Sequence, residues 1–159
     1  MRKYSTINNG DCLFAAFIMA YKHTHWPQSM QKRIALVVRR QVAEHIVMAN
    51  GYLVSAPLEK ADVKRILNMK NPDISRDNII NAATNHGNVR KWKRAYSRII
   101  GTPGVWGGGT ELSVLSDLFE VQIQVISGNG DVVSIGENHA DNGTVYLMYE
   151  GNSHYSAMF

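Results

Sequence analysis

The stretch Asn8-Asn9-Gly10-Asp11-Cys12-Leu13-Phe14 places the only cysteine of the chain where a polar loop turns into an apolar run. The run extends from Leu13 to Tyr21. Its large apolar side chains recur at spacings of three and four, which predicts a buried helix. Asn9 or Asp11 can cap the start of this helix, so Cys12 is expected in its first turn.

A cysteine at a helix start can act as a nucleophile. The first backbone N–H groups of a helix have no intrahelical partner, and their partial positive charge favours a thiolate and lowers the pKa of Cys12. Together with the N–H groups of Gly10 and Asp11, they can hold the oxyanion that forms when a carbonyl is attacked. The alternative is a small apolar residue that fills space, and burial statistics alone favour it.

Length and composition indicate one globular domain over residues 1–159. The chain is 45% hydrophobic and 19% charged, and a single cysteine cannot form an internal disulfide, which favours a reducing, intracellular compartment. Arg2 and Lys3 precede the apolar run as in a signal peptide, but the polar residues 6–11 separate the two. The run is also too short to span a membrane, so we expect neither targeting nor insertion.

The charge balance is mildly basic, with 17 Lys and Arg against 13 Asp and Glu and a net charge of +4. The basic residues are densest between Arg90 and Arg98. Trp92, Tyr96 and Ile99 recur there at helical spacing, which favours rings that face a core over rings that stack on bases. Because no nucleic-acid-binding motif accompanies this cluster, nucleic acid is the less favoured partner.

The pattern of elements predicts an α+β fold, with a helical lobe followed by a small, mainly antiparallel sheet. A long helix is expected from Gln28 to about Asn50, with Lys32, Arg39, Arg40 and Glu44 in solvent. Further helices are expected at about 58–69, from 73 to 87, at 89–100 and, after the glycine-rich loop 101–109, from Thr110 or Glu111 to Phe119. Alternating apolar residues predict strands at 121–125, 132–135, 144–149 and 154–159.

Cysteine catalysis needs a base near the sulfur and a third group that orients the base. His154 is the best placed of the six histidines, because it opens a short final strand, and it follows Cys12 by 142 positions. His23 and His25 resemble half of a metal site, but the chain has no other histidine or cysteine nearby at a zinc-like spacing. We therefore expect loop histidines there, and no metal or organic cofactor.

Three blocks of sequence resemble the ovarian-tumour (OTU) family of deubiquitinases. Residues 9–14 resemble its Asp-Gly-Asn-Cys-Leu-Phe block, residues 106–112 its Trp-Gly-Gly-x-x-Glu-Leu block, and residues 154–156 its His-Tyr-Asn/Asp ending. The blocks occur in the family's order and span nearly the whole chain. The resemblance implies a papain-like cysteine protease that removes ubiquitin or a ubiquitin-like modifier from lysine.

The resemblance also implies roles for single residues. Cys12 corresponds to the nucleophile and His154 to the general base, and the loop Asn9-Gly10-Asp11 would shape the oxyanion hole. Trp106, Gly107 and Gly108 would border the channel for the ubiquitin tail. A tail that ends in Gly-Gly needs a slot too narrow for side chains, and glycines that face a tryptophan can form one. Glu111 is expected to support the start of its helix.

The chain departs from the family pattern at the orienting group. Asn9 replaces the aspartate three residues before the cysteine, and Ser156 replaces the Asn or Asp two residues after the histidine. In a strand, positions i and i+2 share a face, so Ser156 can touch the imidazole, although a hydroxyl supplies no negative charge. Asn9, Asn8 or Asn152 is then the alternative third member, and an inactive ubiquitin-binding relative is the alternative function. The compact chain resembles stand-alone OTU domains that viruses or intracellular bacteria deploy in the host cytoplasm.

Overall fold

The computed structural model describes residues 1–48, 96–98, 100–151 and 154–159. The helices expected at 58–69 and 73–87, most of the helix at 89–100 with its basic cluster, and Asn152 lie outside these residues. Residues 96–98 and 100 are helical. Within the described ranges, none of the helices is both long and apolar enough to cross a membrane.

The first helix, α1, runs from Cys12 to Lys22. Its residues from Cys12 to Ala20 are all buried, so the helix is enclosed on every side rather than along one stripe. This agrees with its sequence, in which small and large apolar residues follow one another without a polar face. α1 packs against the second helix and against two strands of the sheet.

The second helix, α2, runs from Gln28 to Met48. Its buried side chains follow helical spacing and include Arg39, which is only 1% exposed, whereas Met30 and Val37 lie at the surface. The prediction of a solvent-exposed Arg39 is therefore wrong. The physical reason is a group of acceptors from distant parts of the chain, which satisfies the buried guanidinium.

The described residues contain a five-stranded sheet with the order β1-β5-β4-β2-β3. Its strands are Lys3–Tyr4 (β1), Gln122–Ser127 (β2), Val132–Ile135 (β3), Thr144–Glu150 (β4) and His154–Met158 (β5). A further helix, α3, runs from Gly109 to Phe119 and precedes β2.

The predicted α+β class is confirmed, with a mixed sheet. Three of the four strand pairs in the described chain are antiparallel, but β2 and β4 are parallel. The chain forms the hairpin β2–β3 and then returns through a 3-10 helix, Glu137–Asn142, to the other side of β2. The short β1 was not predicted, because two residues are too few to show an alternating pattern.

The two faces of the sheet differ, because alternate residues of each strand point to opposite sides. One face is part of the core and carries Ile123, Val125, Val145, Leu147 and Ala157. By the strand register, His154 and Ser156 belong to the other face. Tyr155 lies between them on the core face, so β5 presents both a core surface and the predicted base.

Candidate active site

Cys12 is the first residue of α1 and lies against the start of β5. Its side chain is fully buried, and the backbone of Tyr155 forms a hydrogen bond with the thiol. This hydrogen bond lowers the pKa of Cys12, so the Tyr155 N–H must be the donor, because only donation to sulfur favours the thiolate. The structure thus brings the sulfur to the residue that directly follows His154.

The pKa of the Cys12 thiol is raised, whereas the sequence predicted that it would be lowered. Burial is the largest cause, and the negative charge of Asp11 raises the pKa further. The backbone N–H groups of Tyr155 and of the helix start, at Leu13 and Cys12, act in the predicted direction but are outweighed. The helix start stabilises the thiolate of Cys12 as expected, but the free energy lost when the thiolate is removed from water is larger than this stabilisation.

His154 opens β5 and is half-buried. Its Nδ1 atom is buried and has no hydrogen-bond partner in the part of the chain that the structure describes. The sulfur of Cys12 is therefore not hydrogen-bonded to Nδ1. Ser156 is buried on the same side of β5, yet neither its hydroxyl nor the amide of Asn9 bonds to Nδ1.

The loop before Cys12 is held by its own hydrogen bonds. The Oδ1 atom of Asn9 accepts the backbone N–H of Asp11 at 2.8 Å, and the backbone carbonyl of Asn9 accepts the N–H of Cys12 at 3.1 Å. Two of the N–H groups expected to hold an oxyanion therefore have partners inside the loop. Asp11 occupies the N-cap position of α1, but no side chain caps the helix.

Arg39 is a site residue that the sequence analysis missed. Its Nε donates to Oδ1 of Asp11 at 2.9 Å, and one terminal nitrogen lies 2.7 Å from the same oxygen. The terminal nitrogens also donate to the backbone carbonyls of Gly10, Ile100 and Val105, at 3.0, 2.7 and 2.6 Å. The sequence contained an indication of this burial: Arg39 lies four residues after Ala35 and four before Ala43, and helical spacing places all three on the same face of α2.

The glycine-rich loop touches the cysteine loop directly. The N–H of Gly104 donates to Oδ1 of Asp11 at 3.0 Å, and Gly104 has a φ of +84° that favours glycine. Gly10 has no room for a side chain, because a Cβ there would lie 1.7 Å from the carbonyl oxygen of Gly104. The two loops that flank Cys12 are thus in backbone contact.

Trp106, Gly107 and Gly108 lie at the other end of the same loop. Trp106 is partly buried and packs against the core, and both glycines are buried. A Cβ at Gly107 would lie 2.6 Å from Cδ2 of Leu13, the residue after the cysteine. In this structure the space beside Gly107 is therefore filled by Leu13, and the expected narrow slot remains a prediction.

Glu111 supports the start of α3, as predicted. Its Oε1 accepts the N–H of Gly108 at 2.9 Å, and its Oε2 accepts the hydroxyl of Tyr96 at 2.5 Å. Because Gly108 has no side chain, only the glutamate half of a capping box can form here. The carboxylate is 1% exposed, so both hydrogen bonds offset the cost of its burial.

The described residues hold no group of three or more His, Cys, Asp or Glu that could bind a metal ion. His23 and His25 lie in the connection between α1 and α2. The ring of His23 stacks on Phe159, and the ring of His25 lies 5.3 Å from that of Tyr4. Both histidines therefore take part in aromatic contacts.

Comparison with known proteins identifies relatives of this chain. A sequence profile of the family described as OTU-like cysteine protease matches residues 7–155. No curated protein matches the chain significantly. Among solved structures, the viral OTU domain protease from Farallon virus has 17% identity and a TM-score of 0.59, over 98% of this chain and 82% of that one.

Two further structures have the same fold. An OTU domain in complex with ubiquitin has 15% identity and a TM-score of 0.57, over 98% of this chain and 67% of that one. An OTU deubiquitinase from Wolbachia pipientis wMel has 17% identity and a TM-score of 0.56, over 99% of this chain and 87% of that one. These similarities confirm the predicted papain-like fold.

Proposed function

The chain belongs to the OTU-like cysteine proteases, and from this premise we propose that it is a deubiquitinase in which Cys12 is the nucleophile. One observation carries the proposal: the Cys12 sulfur accepts a hydrogen bond from the amide of the residue next to His154. The ubiquitin substrate is supported by the solved OTU domain that has this fold and is bound to ubiquitin. We also propose that residues 1–159 form a single domain that acts inside cells.

The reaction follows from the two side chains. His154 takes the thiol proton, and the thiolate of Cys12 attacks the carbonyl carbon that joins the ubiquitin tail to a lysine. The lysine amine leaves with the proton from His154, which gives a thioester between ubiquitin and Cys12. Water, deprotonated by His154, then attacks the thioester and releases the ubiquitin carboxylate and the thiol.

The structure supports His154 as the base through its Nδ1 atom, which has no hydrogen-bond partner among the described residues. An unpartnered buried nitrogen is costly, and the thiol is the group that the mechanism would pair with it. Because Cys12 is fully buried, binding of the substrate tail has to be accompanied by a movement that exposes the sulfur. We assign Asn9 to orienting the loop before Cys12 and Ser156 to orienting the imidazole of His154.

A second candidate function is an inactive ubiquitin-binding module. Two observations favour it: burial raises the pKa of Cys12, and the sulfur is not hydrogen-bonded to Nδ1 of His154. A raised pKa favours the neutral thiol, which is a weak nucleophile, and a base without a hydrogen bond to the sulfur is not placed to take its proton. The origin of the chain in a virus or an intracellular bacterium is a related proposal, supported by the relatives from Farallon virus and Wolbachia.

A ubiquitin probe with a thiol-reactive group at its C-terminus distinguishes the two functions. An enzyme should gain the mass of one ubiquitin at Cys12, and the variants Cys12→Ala and His154→Asn should not react. Binding of unmodified ubiquitin is measured in parallel on all three proteins. Binding without any covalent product would support the inactive module and contradict the enzyme.

A further inference from the structure

Arg39 stands out in α2 because its charge is buried. Its side chain is 1% exposed, whereas the next residue, Arg40, points to solvent. Burying a guanidinium is unfavourable unless a carboxylate and further acceptors compensate for the lost water. A helix that only needed to pack would place an aliphatic residue here, as it does at Val38 and Val42.

The acceptors of Arg39 come from two separate segments, the loop before Cys12 and residues 100–105. Asp11 and the carbonyl of Gly10 belong to the loop before Cys12, whereas the carbonyls of Ile100 and Val105 lie about ninety residues later. The guanidinium also lies over the ring of Phe14 in the first turn of α1, at 4.5 Å from the ring centroid. One side chain therefore fixes both segments and the helix start.

We propose that Arg39 is a positioning residue for Cys12: its guanidinium holds the loop of Gly10 and Asp11 against residues 100–105 and compensates for the carboxylate beside the thiol. The proposal rests on the proposed function, because it gives Arg39 a role in the same reaction. Arginine is suited to this task, because its planar fork presents donors in several directions at once, whereas the single ammonium of lysine cannot reach all four acceptors.

The charges around the site support an electrostatic part of this role. Asp11 raises the pKa of Cys12, and Arg39 is the cation bonded to that carboxylate. Glu111 on α3 also acts on the guanidinium and raises the pKa of Arg39. Without Arg39, the charge of Asp11 would face the thiol uncompensated, and the thiolate would form at a higher pH.

The first test compares Arg39→Lys with Arg40→Lys, which changes the adjacent exposed arginine in the same way. Each variant is assayed for kcat and KM with a fluorogenic ubiquitin C-terminal substrate. The unfolding temperature of each variant is measured first, so that the assay is run at a temperature at which the variant is folded. In Arg39→Lys, kcat should fall by about 100-fold, the effect expected of a displacement near 1 Å in an active site. KM should change little, because the substrate contacts remain. Arg40→Lys should match the wild type.

The second test isolates the charge with Arg39→Met and with the double variant Arg39→Met, Asp11→Asn. The rate at which iodoacetamide alkylates Cys12 is followed against pH, which titrates the thiol without any ubiquitin. The titration should move to higher pH in Arg39→Met and return in the double variant, because the uncompensated carboxylate is then gone. The kcat of the double variant should stay low, since the loops are still untethered.

The two tests separate the possible failures. If Arg39→Lys is less stable but keeps the kcat and the thiol titration of the wild type, Arg39 is only structural and the proposal is overturned. If Arg39→Met does not fold, the kcat of Arg39→Lys still decides whether Arg39 positions Cys12. If the wild type does not cleave the ubiquitin substrate, the proposed function fails, whereas the titrations still report on the role of Arg39.

Discussion

Replacing Gly10 by alanine tests the close approach of the two loops beside Cys12. A Cβ at this position would lie 1.7 Å from the carbonyl oxygen of Gly104 and 2.3 Å from its carbon. Real Cβ contacts are essentially never below 3.0 Å, and here the obstacle is backbone rather than a flexible side chain. The loops must therefore separate by more than about 1 Å, a displacement that can cost 100-fold in rate.

The separation would also weaken contacts that hold the loop. Asp11 accepts the N–H of Gly104, and Arg39 donates to the carbonyl of Gly10, so both hydrogen bonds would lengthen. Overpacking of this kind costs about 1–3 kcal/mol of stability. We expect Gly10→Ala to lose about 100-fold in kcat/KM on a ubiquitin substrate and to unfold at lower denaturant concentration.

Gly109→Ala is the matched control, because a Cβ at Gly109 meets nothing within 4 Å and the residue lies in the first turn of α3. Its activity should equal that of the wild type. Alkylation of Cys12 by iodoacetamide reports on the site without ubiquitin. If Gly10→Ala shows the stability, alkylation rate and kcat/KM of Gly109→Ala, the loops do not approach as described and the reasoning is refuted.

Two further predictions concern the buried groups of the site. Tyr96→Phe removes the hydroxyl that donates to the buried carboxylate of Glu111, so the free energy of unfolding in urea should fall by about 1–3 kcal/mol. Tyr146→Phe on half-buried β4 is the comparison, and an equal loss in both variants would speak against the hydrogen bond. In the wild type, alkylation of Cys12 should accelerate with pH up to values above the pKa of an ordinary free thiol, because burial raises the pKa of Cys12 and only the thiolate reacts. A rate that is already constant below neutrality would contradict this direction.

The local patterns of the sequence were sufficient for most of the described elements. α1 was predictable because its apolar residues recur at helical spacing, and β2 because Ile123 and Val125 alternate with glutamines. The order of three short motifs also indicated the family, which the match over residues 7–155 shows. These features depend on neighbours in the chain, so periodicity and motif order can reveal them.

The sheet pairing and the burial of charges were decided by the tertiary structure. The parallel pairing of β2 with β4 depends on where the chain returns after β3, which alternation within a strand does not specify. Asn9 is one of three asparagines that the sequence offers as the group that orients His154, and in the structure its Oδ1 accepts the N–H of Asp11. Any asparagine side chain can accept the backbone N–H two residues later, and the sequence alone does not show which asparagine does so.

The electrostatics of Cys12 and Arg39 show most clearly which properties the sequence determined and which only the tertiary structure decided. The sequence determined that a cysteine begins a buried helix, and from this alone a lowered thiol pKa follows. Only the folded structure decided that burial and Asp11 outweigh the helix start and that Arg39 lies inside with them. The physical reason is that burial and the pairing of Asp11 with Arg39 depend on parts of the chain that are distant in sequence, whereas the effect of a helix start is local.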